Sequence, residues 1–169
     1  NRMPTSVARL EECVAHAFDP NLLKGRVELH SSQDRPQHRS NKPKREGKSS
    51  IVGQGLASQE SWVVRGKALC TDVPLTFLGF VNRDTGVVEE TGHPLDGEAL
   101  DGRVVIFPKG SGSTVAPYVL MGLAYTGVGP LAVVNRDVCT LTMPACSLLG
   151  IPYAHSFDED PCLEVNDGD

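Results

Sequence analysis

Residues 104–115 read Val104-Val105-Ile106-Phe107-Pro108-Lys109-Gly110-Ser111-Gly112-Ser113-Thr114-Val115, and the order of residue types in this stretch decides the fold. An unbroken run of β-branched and aromatic residues predicts a strand covered on both faces, as in a parallel sheet. A Gly/Ser loop follows. Residues 115–125 then carry a helical pattern with Pro117 in the first turn, where its missing N–H costs nothing. Farther along, Leu131-Ala132-Val133-Val134 repeats the buried-strand signature, 138–149 predicts a second apolar helix ending at Gly150, and Ile151-Pro152-Tyr153 a short closing strand. Strand, helix, strand, helix, strand implies right-handed crossovers and a small parallel sheet.

Upstream, Trp62, Val63, Val64, Ala68 and Leu69 predict a first strand, and residues 75–81 a second apolar segment. Asn82-Arg83-Asp84-Thr85-Gly86 is a turn, after which Val87-Val88 resumes strand-like sequence. Phe77-Leu78-Gly79-Phe80 is open to two readings, a lining loop or core. His93, before Pro94, is expected as a surface imidazole in the loop that ends at Asp96-Gly97. The body, residues 61–156, is an α/β domain with a β-rich first half. Before it, 1–30 is read as an N-terminal segment with a short amphipathic helix over 5–18 (Val7, Leu10, Val14 and Phe18 at helical spacing). Residues 31–60 are read as a disordered basic linker, because Arg35, Arg39, Lys42, Lys44, Arg45 and Lys48 stand among polar residues and Pro. Residues 157–169 are read as a frayed acidic tail.

The 169 residues carry a formal net charge of −5 with 22% charged and 40% hydrophobic residues, the balance of one ordinary soluble domain. An acidic chain lacks the cations that phosphate backbones or anionic lipid require, so neither nucleic acid nor membrane is an expected partner. The basic tract has no aromatic residue for base stacking. There is neither an apolar run long enough to span a bilayer nor a secretory leader, so a cytoplasmic location is expected. The chain opens on Asn1 rather than Met, as a processed or partial chain does. Cys13, Cys70, Cys139, Cys146 and Cys162 are odd in number and form no CxxC, which predicts free thiols and no metal site on this chain.

A Gly/Ser loop between a buried strand and a helix start gathers unpaired N–H groups and the positive end of the helix dipole, and it favours a carboxylate or phosphate. Gly110 and Gly112 permit a tight turn, while the hydroxyls of Ser111, Ser113 and Thr114 are placed to cap the helix and touch a ligand. The familiar motifs fail. Lys109 precedes the glycines where a P-loop needs it after them, Ser111 and Val115 stand where a nucleophile elbow needs glycines, and Val115 replaces the third glycine of a dinucleotide fingerprint. By spacing alone, a capped helix turn and an anion site with Ser113 as a base both remain open.

The ordered series Leu75-Thr76-Phe77-Leu78-Gly79-Phe80-Val81-Asn82, Asp84-Thr85-Gly86-Val87-Val88, His93-Pro94-Leu95-Asp96-Gly97-Glu98, Gly102-Arg103-Val104-Val105-Ile106-Phe107-Pro108, Gly110-Ser111-Gly112-Ser113-Thr114-Val115 and Tyr118-Val119-Leu120 resembles the small subunit or swivel domain of the aconitase X family. It spans residues 66–153. Phe80, Asn82 and Ser111 depart from the family pattern. The resemblance implies a swivelling β/β/α domain with a small partly parallel sheet and two helices. It also implies a partner, the large catalytic subunit or domain, whose iron–sulfur cluster acts as a Lewis acid on a departing hydroxyl. Together they form a hydro-lyase (dehydratase) of 5-phosphomevalonate or cis-3-hydroxy-L-proline, both carboxylate-bearing, with a mild lean toward the latter. It further implies Ser113 as the catalytic base and Gly110, Ser111, Gly112 and Thr114 as substrate-binding, the chain being inactive without its partner. The rival reading is a non-catalytic anion-binding or regulatory module that retains the fold.

Overall fold

Alternation and apolar runs build a barrel in the computed structural model, which describes residues 13–18, 25–30, 50–56 and 62–168. Three strands precede the predicted body: β1 (Cys13–Phe18), β2 (Gly25–His30) and β3 (Ser50–Gly55). Then come β4 (Val63–Cys70), the two-residue β5 (Leu75–Thr76), β6 (Arg103–Phe107), the two-residue β7 (Gly110–Ser111) and α1 (Ala116–Thr126). The chain continues through β8 (Ala132–Asn135), α2 (Met143–Leu149), β9 (Tyr153–His155) and α3 (Pro161–Glu164). Seven strands close in the order β1-β2-β3-β9-β8-β6-β4. The β4–β6, β6–β8 and β8–β9 pairs are parallel and the others antiparallel.

Of the parallel strands, β4, β6 and β8 fall where apolar runs predicted them, with β8 buried at every position, whereas β9 starts at Tyr153, the last residue of the predicted closing strand 151–153. Their residues alternate between two cores. Leu69, Val105, Phe107, Val133 and Tyr153 join Val119, Leu120 and Leu123 of α1 and Ala145 and Cys146 of α2. Ala68, Val104, Ile106, Ala132, Val134 and Ala154 meet Leu29 and Ile51 from β2 and β3. Helix α1 ends at Gly127 and α2 at Gly150, each in the left-handed conformation that glycine adopts without strain.

Five expectations are corrected. Residues 13–18 of the predicted helix are strand β1, paired with β2 and β4. Val14 and Phe18 lie four apart, a spacing that fits both the helical period and the strand period of two, and pairing on both edges selects the strand. The rest of that helix lies outside the described residues, as do 31–49 and 57–60 of the predicted linker. Residues 50–55 of that linker form β3, with Ile51, Gly53 and Gly55 buried. A Cβ at Gly53 would stand 2.7 Å from the Phe157 ring, so glycine is what admits that ring.

The acidic tail is not frayed. Asp160 caps α3 by accepting the Cys162 N–H at 3.0 Å and pairs with Arg136 at 2.7 Å. Asp158 accepts the Val52 N–H at 2.8 Å and Asp167 the Cys70 N–H at 3.3 Å, while Cys162 and Val165 are buried in the second core. Its carboxylates serve as backbone acceptors, a use that composition does not reveal. The predicted second helix is shorter, because residues 138–142 form the turn that leads into α2. With α3, the described residues hold three helices rather than two. No helix among them is long and apolar enough to cross a membrane.

Candidate functional site

The buried strand β6 delivers the chain to Pro108, and the next residues turn outward under constraint from two sides. On one side β7 pairs in parallel with β5, Leu75 opposite Gly110 and Thr76 opposite Ser111. The Leu75 N–H donates to the Lys109 carbonyl at 3.1 Å, and the hydroxyls of Thr76 and Ser111 share a hydrogen bond of 2.6 Å. On the other side the Gly110 N–H donates to the Cys139 Sγ at 3.2 Å. A side chain at Gly110 would press on the Leu141 Cβ at 3.2 Å, and one at Gly112 on the Thr76 Cγ2 at 3.1 Å. Gly112 also has φ +86°, so both glycines answer to close approach and the second to backbone conformation as well.

Behind Gly110 lies a buried polar chain that the sequence reading missed. The Asn135 side chain donates to the Phe107 carbonyl at 3.0 Å and accepts the Thr142 hydroxyl at 2.7 Å. The Cys139 N–H donates to the Tyr153 hydroxyl oxygen at 2.9 Å. The end of β6 and the start of β7 are thereby fixed to the β8–α2 junction by groups whose hydrogen bonds are satisfied inside the protein. Burial drives the Tyr153 phenol well above its ordinary range, so it remains neutral. The one sequence cue was Asn135, a polar residue at the end of an apolar strand.

Ser113 is half-buried and follows directly on this clamped turn. Its hydroxyl oxygen accepts the Val115 N–H at 3.2 Å, and its carbonyl accepts the Ala116 N–H at 2.9 Å. The predicted side-chain cap of the helix is not formed: the N-cap position is Val115, with no side-chain hydrogen bond. Pro117 in the first turn removes one donor, and the N–H of Tyr118 goes to Val115. The backbone N–H groups of Gly112, Ser113 and Thr114 find no acceptor among the described residues, and the first turn of α1 holds no acidic residue. Donors are therefore available beside Ser113 at the positive end of a helix. Of the five loop positions singled out in the sequence, Gly112, Ser113 and Thr114 lie on this accessible side. Gly110 is buried with its N–H engaged, and the Ser111 hydroxyl is engaged by Thr76.

His93 is buried, not a surface imidazole: its Nδ1 accepts the Leu95 N–H at 3.1 Å and its Nε2 lies 3.3 Å from the Pro74 carbonyl. The ring ties the 93–97 loop to the approach of β5, which in turn supports β7. Phe77 is core, packed against Phe107 with ring centres 6.0 Å apart, whereas Phe80 is exposed.

Among the described residues no group of three His, Cys, Asp or Glu side chains is gathered for a metal. Burial, reinforced by the neighbouring Cys139, pushes the Cys146 thiol up to about 12, and burial likewise raises Cys162. An iron–sulfur centre takes a gathered set of cysteine thiolates as ligands, and the described residues present no such set, so they do not fit that group.

The family model of the aconitase X swivel domain matches residues 54–169. The phosphomevalonate dehydratase small subunit of Methanopyrus kandleri is 40% identical over 106 residues, covering 63% of this chain and 78% of that one. Its counterpart from Methanosarcina acetivorans is 35% identical over 104 residues, covering 62% and 72%. Among solved structures, the holo-form of Thermococcus kodakaraensis aconitase X matches with a TM-score of 0.57 at 28% identity, over 61% of this chain and 76% of that chain.

Proposed function

The chain belongs to the aconitase X swivel domain family, and we propose that it is the small component of a hydro-lyase acting on a carboxylate-bearing hydroxy acid of the 5-phosphomevalonate type. The observation that carries this reading is the clamped loop. Gly110 and Ser111 are anchored from behind, and Ser113 stands beside unspent N–H donors at the start of α1. The names of the curated relatives support the substrate class.

Ser113 is the base. Its Oγ already accepts one backbone N–H, and that bond together with the helix dipole lowers the cost of the alkoxide relative to an unassisted serine. In the reaction the C–H bond next to the substrate carboxylate breaks and its proton goes to the Ser113 Oγ. The electron pair forms the carbon–carbon double bond and the neighbouring hydroxyl departs as hydroxide, which becomes water by taking up, through solvent, the proton that Ser113 released in forming its alkoxide. The free N–H groups of residues 112–114 hold the carboxylate, whose negative charge they stabilise as the α-proton leaves. Thr114 adds an exposed hydroxyl at the same edge. The described residues offer nothing to polarise the departing hydroxyl. That Lewis-acid chemistry is what an iron–sulfur cluster supplies when bound, and it is assigned to a large catalytic subunit.

The test uses the full chain combined with that large subunit, with 5-phosphomevalonate and cis-3-hydroxy-L-proline offered separately and dehydration followed by mass spectrometry. The expected result is turnover of the phosphorylated acid and a fall of roughly 10²–10⁴-fold on Ser113→Ala, the range for loss of a general base. Ser113→Ala activity within about threefold of the parent, judged against that same range, overturns the base. Turnover of hydroxyproline alone overturns the substrate class. A complex that binds 5-phosphomevalonate without turning it over favours a non-catalytic anion-binding module.

A further inference from the structure

Helix α1 begins three residues after Ser113, and its composition is unusual for a helix with one face in water. No charged residue stands between Lys109 and Arg136, although 22% of the chain is charged. A surface helix ordinarily carries its charges on the solvent side, and one that is apolar all round is ordinarily buried all round. Here Ala116, Val119, Leu120 and Leu123 take one face into the core. The opposite face presents Tyr118 at 70% and Tyr125 at 76% exposure, with Val115 exposed at the Ser113 end. On α2, which packs beside α1, Leu148 is 74% exposed.

Gly122 lies between the two tyrosines on that face, four residues after Tyr118 and three before Tyr125. A Cβ there would meet nothing within 4 Å, and its φ lies outside the left-handed range. Neither packing against the described residues nor backbone conformation therefore calls for glycine. Glycine in a helix interior is unfavourable relative to alanine. A gap in the side-chain layer, flanked by two exposed aromatic rings, is what another protein's close approach requires.

We infer that the outer face of α1, formed by Tyr118, Gly122 and Tyr125, is the surface on which the large catalytic subunit docks. The inference rests on the two-component reading above. Two observations choose this occupant. The face runs on from Ser113, so a chain that completes the site at the start of α1 lies against the next turns of the same helix. The face is also uncharged, which suits a protein surface and offers nothing to an anionic polymer or lipid. A second copy of this chain would bring a further net charge of −5 to the same contact.

The measurement is the affinity of the full chain for the large subunit by titration calorimetry, alongside the thermal midpoint of the chain alone. Gly122→Leu meets open space and a better helix former, so the midpoint holds or rises while affinity falls by roughly 30-fold or more, the loss typical of a central contact. Tyr125→Asp is expected to weaken binding to a similar degree, and Leu163→Asp on α3 to leave it unchanged. In the wild-type chain, Tyr118 and Tyr125 are expected to oxidise under hydroxyl-radical footprinting when the chain is alone and to be shielded in the complex. Equal affinity for all variants, or equal oxidation in both states, overturns the docking face while leaving the role of Ser113 intact. Absence of any wild-type complex with the large subunit overturns both. A self-associated wild-type chain that Tyr125→Asp disperses assigns the face to a second copy and overturns the inference.

Discussion

Thr76 does two things for the loop with one side chain. Its hydroxyl shares a 2.6 Å hydrogen bond with Ser111, and its methyl group stands where a Cβ on Gly112 would crowd it. Thr76→Val keeps the shape and removes the hydrogen bond, leaving the half-buried Ser111 hydroxyl without its protein partner at a cost of about 1–3 kcal/mol. On the proposed reading, kcat in the assembled enzyme is expected to fall about tenfold, since about 1.4 kcal/mol of lost alignment corresponds to that factor, with KM little changed. Thr76→Ser, which keeps the hydroxyl, is expected to restore most of the rate. Steady-state kinetics on the two variants checks this, and equal rates for Val and Ser would exclude the hydrogen bond as the cause. In the sequence Thr76 is one polar residue in an apolar segment. Its pairing with Ser111, 35 positions away, exists only through the β5–β7 register.

Among the elements, the C-terminal segment shows how far composition can mislead. Asp158, Asp160 and Asp167 read as solvated charge, yet each carboxylate accepts a backbone N–H. Asp160 also holds the Arg136 guanidinium, which raises the arginine pKa above its ordinary value through that hydrogen bond. Asp160→Ala removes a helix cap and a partly exposed ion pair. The expected destabilisation is about 1–2 kcal/mol, most of it from the cap because solvent screens the pair. Chemical denaturation at neutral pH measures it, and an unchanged midpoint would mean that α3 contributes little to the fold. Strand β3 teaches the same lesson. Ser50-Ile51-Val52-Gly53-Gln54-Gly55 holds only two large apolar residues, and it is a strand because β2 and β9 lie on either side of it and Phe157 covers Gly53.

For the whole molecule, three buried acids set a limit in alkali. Burial raises the Cys146 thiol from 9.0 to about 12, and it also raises Cys162 and Tyr153. Each is protonated in the folded state over a range where the unfolded chain has begun to ionise, so the unfolded state holds fewer protons there and stability falls as pH rises. For Cys146 the contribution is complete below about pH 9 and lost on approach to about pH 12. Denaturant midpoints are expected to be flat from pH 7 to about 8 and to decline steadily above about 9, and a midpoint that rises in that window would contradict the burial of these groups. What the sequence determined by itself is what short-range chemistry encodes: the apolar runs of β4, β6 and β8, the helix opened by Pro117, the glycine stop at Gly150, and the Gly/Ser turn ahead of Ser113. Only the tertiary structure decided that residues 13–18 and 50–55 are strands closing a barrel, that His93 and Asn135 are buried and satisfied, and that the acidic end is pinned. In each of those cases at least one stabilising partner lies well along the chain, and a hydrogen bond or a packed face contributes nothing until the fold brings that partner into contact.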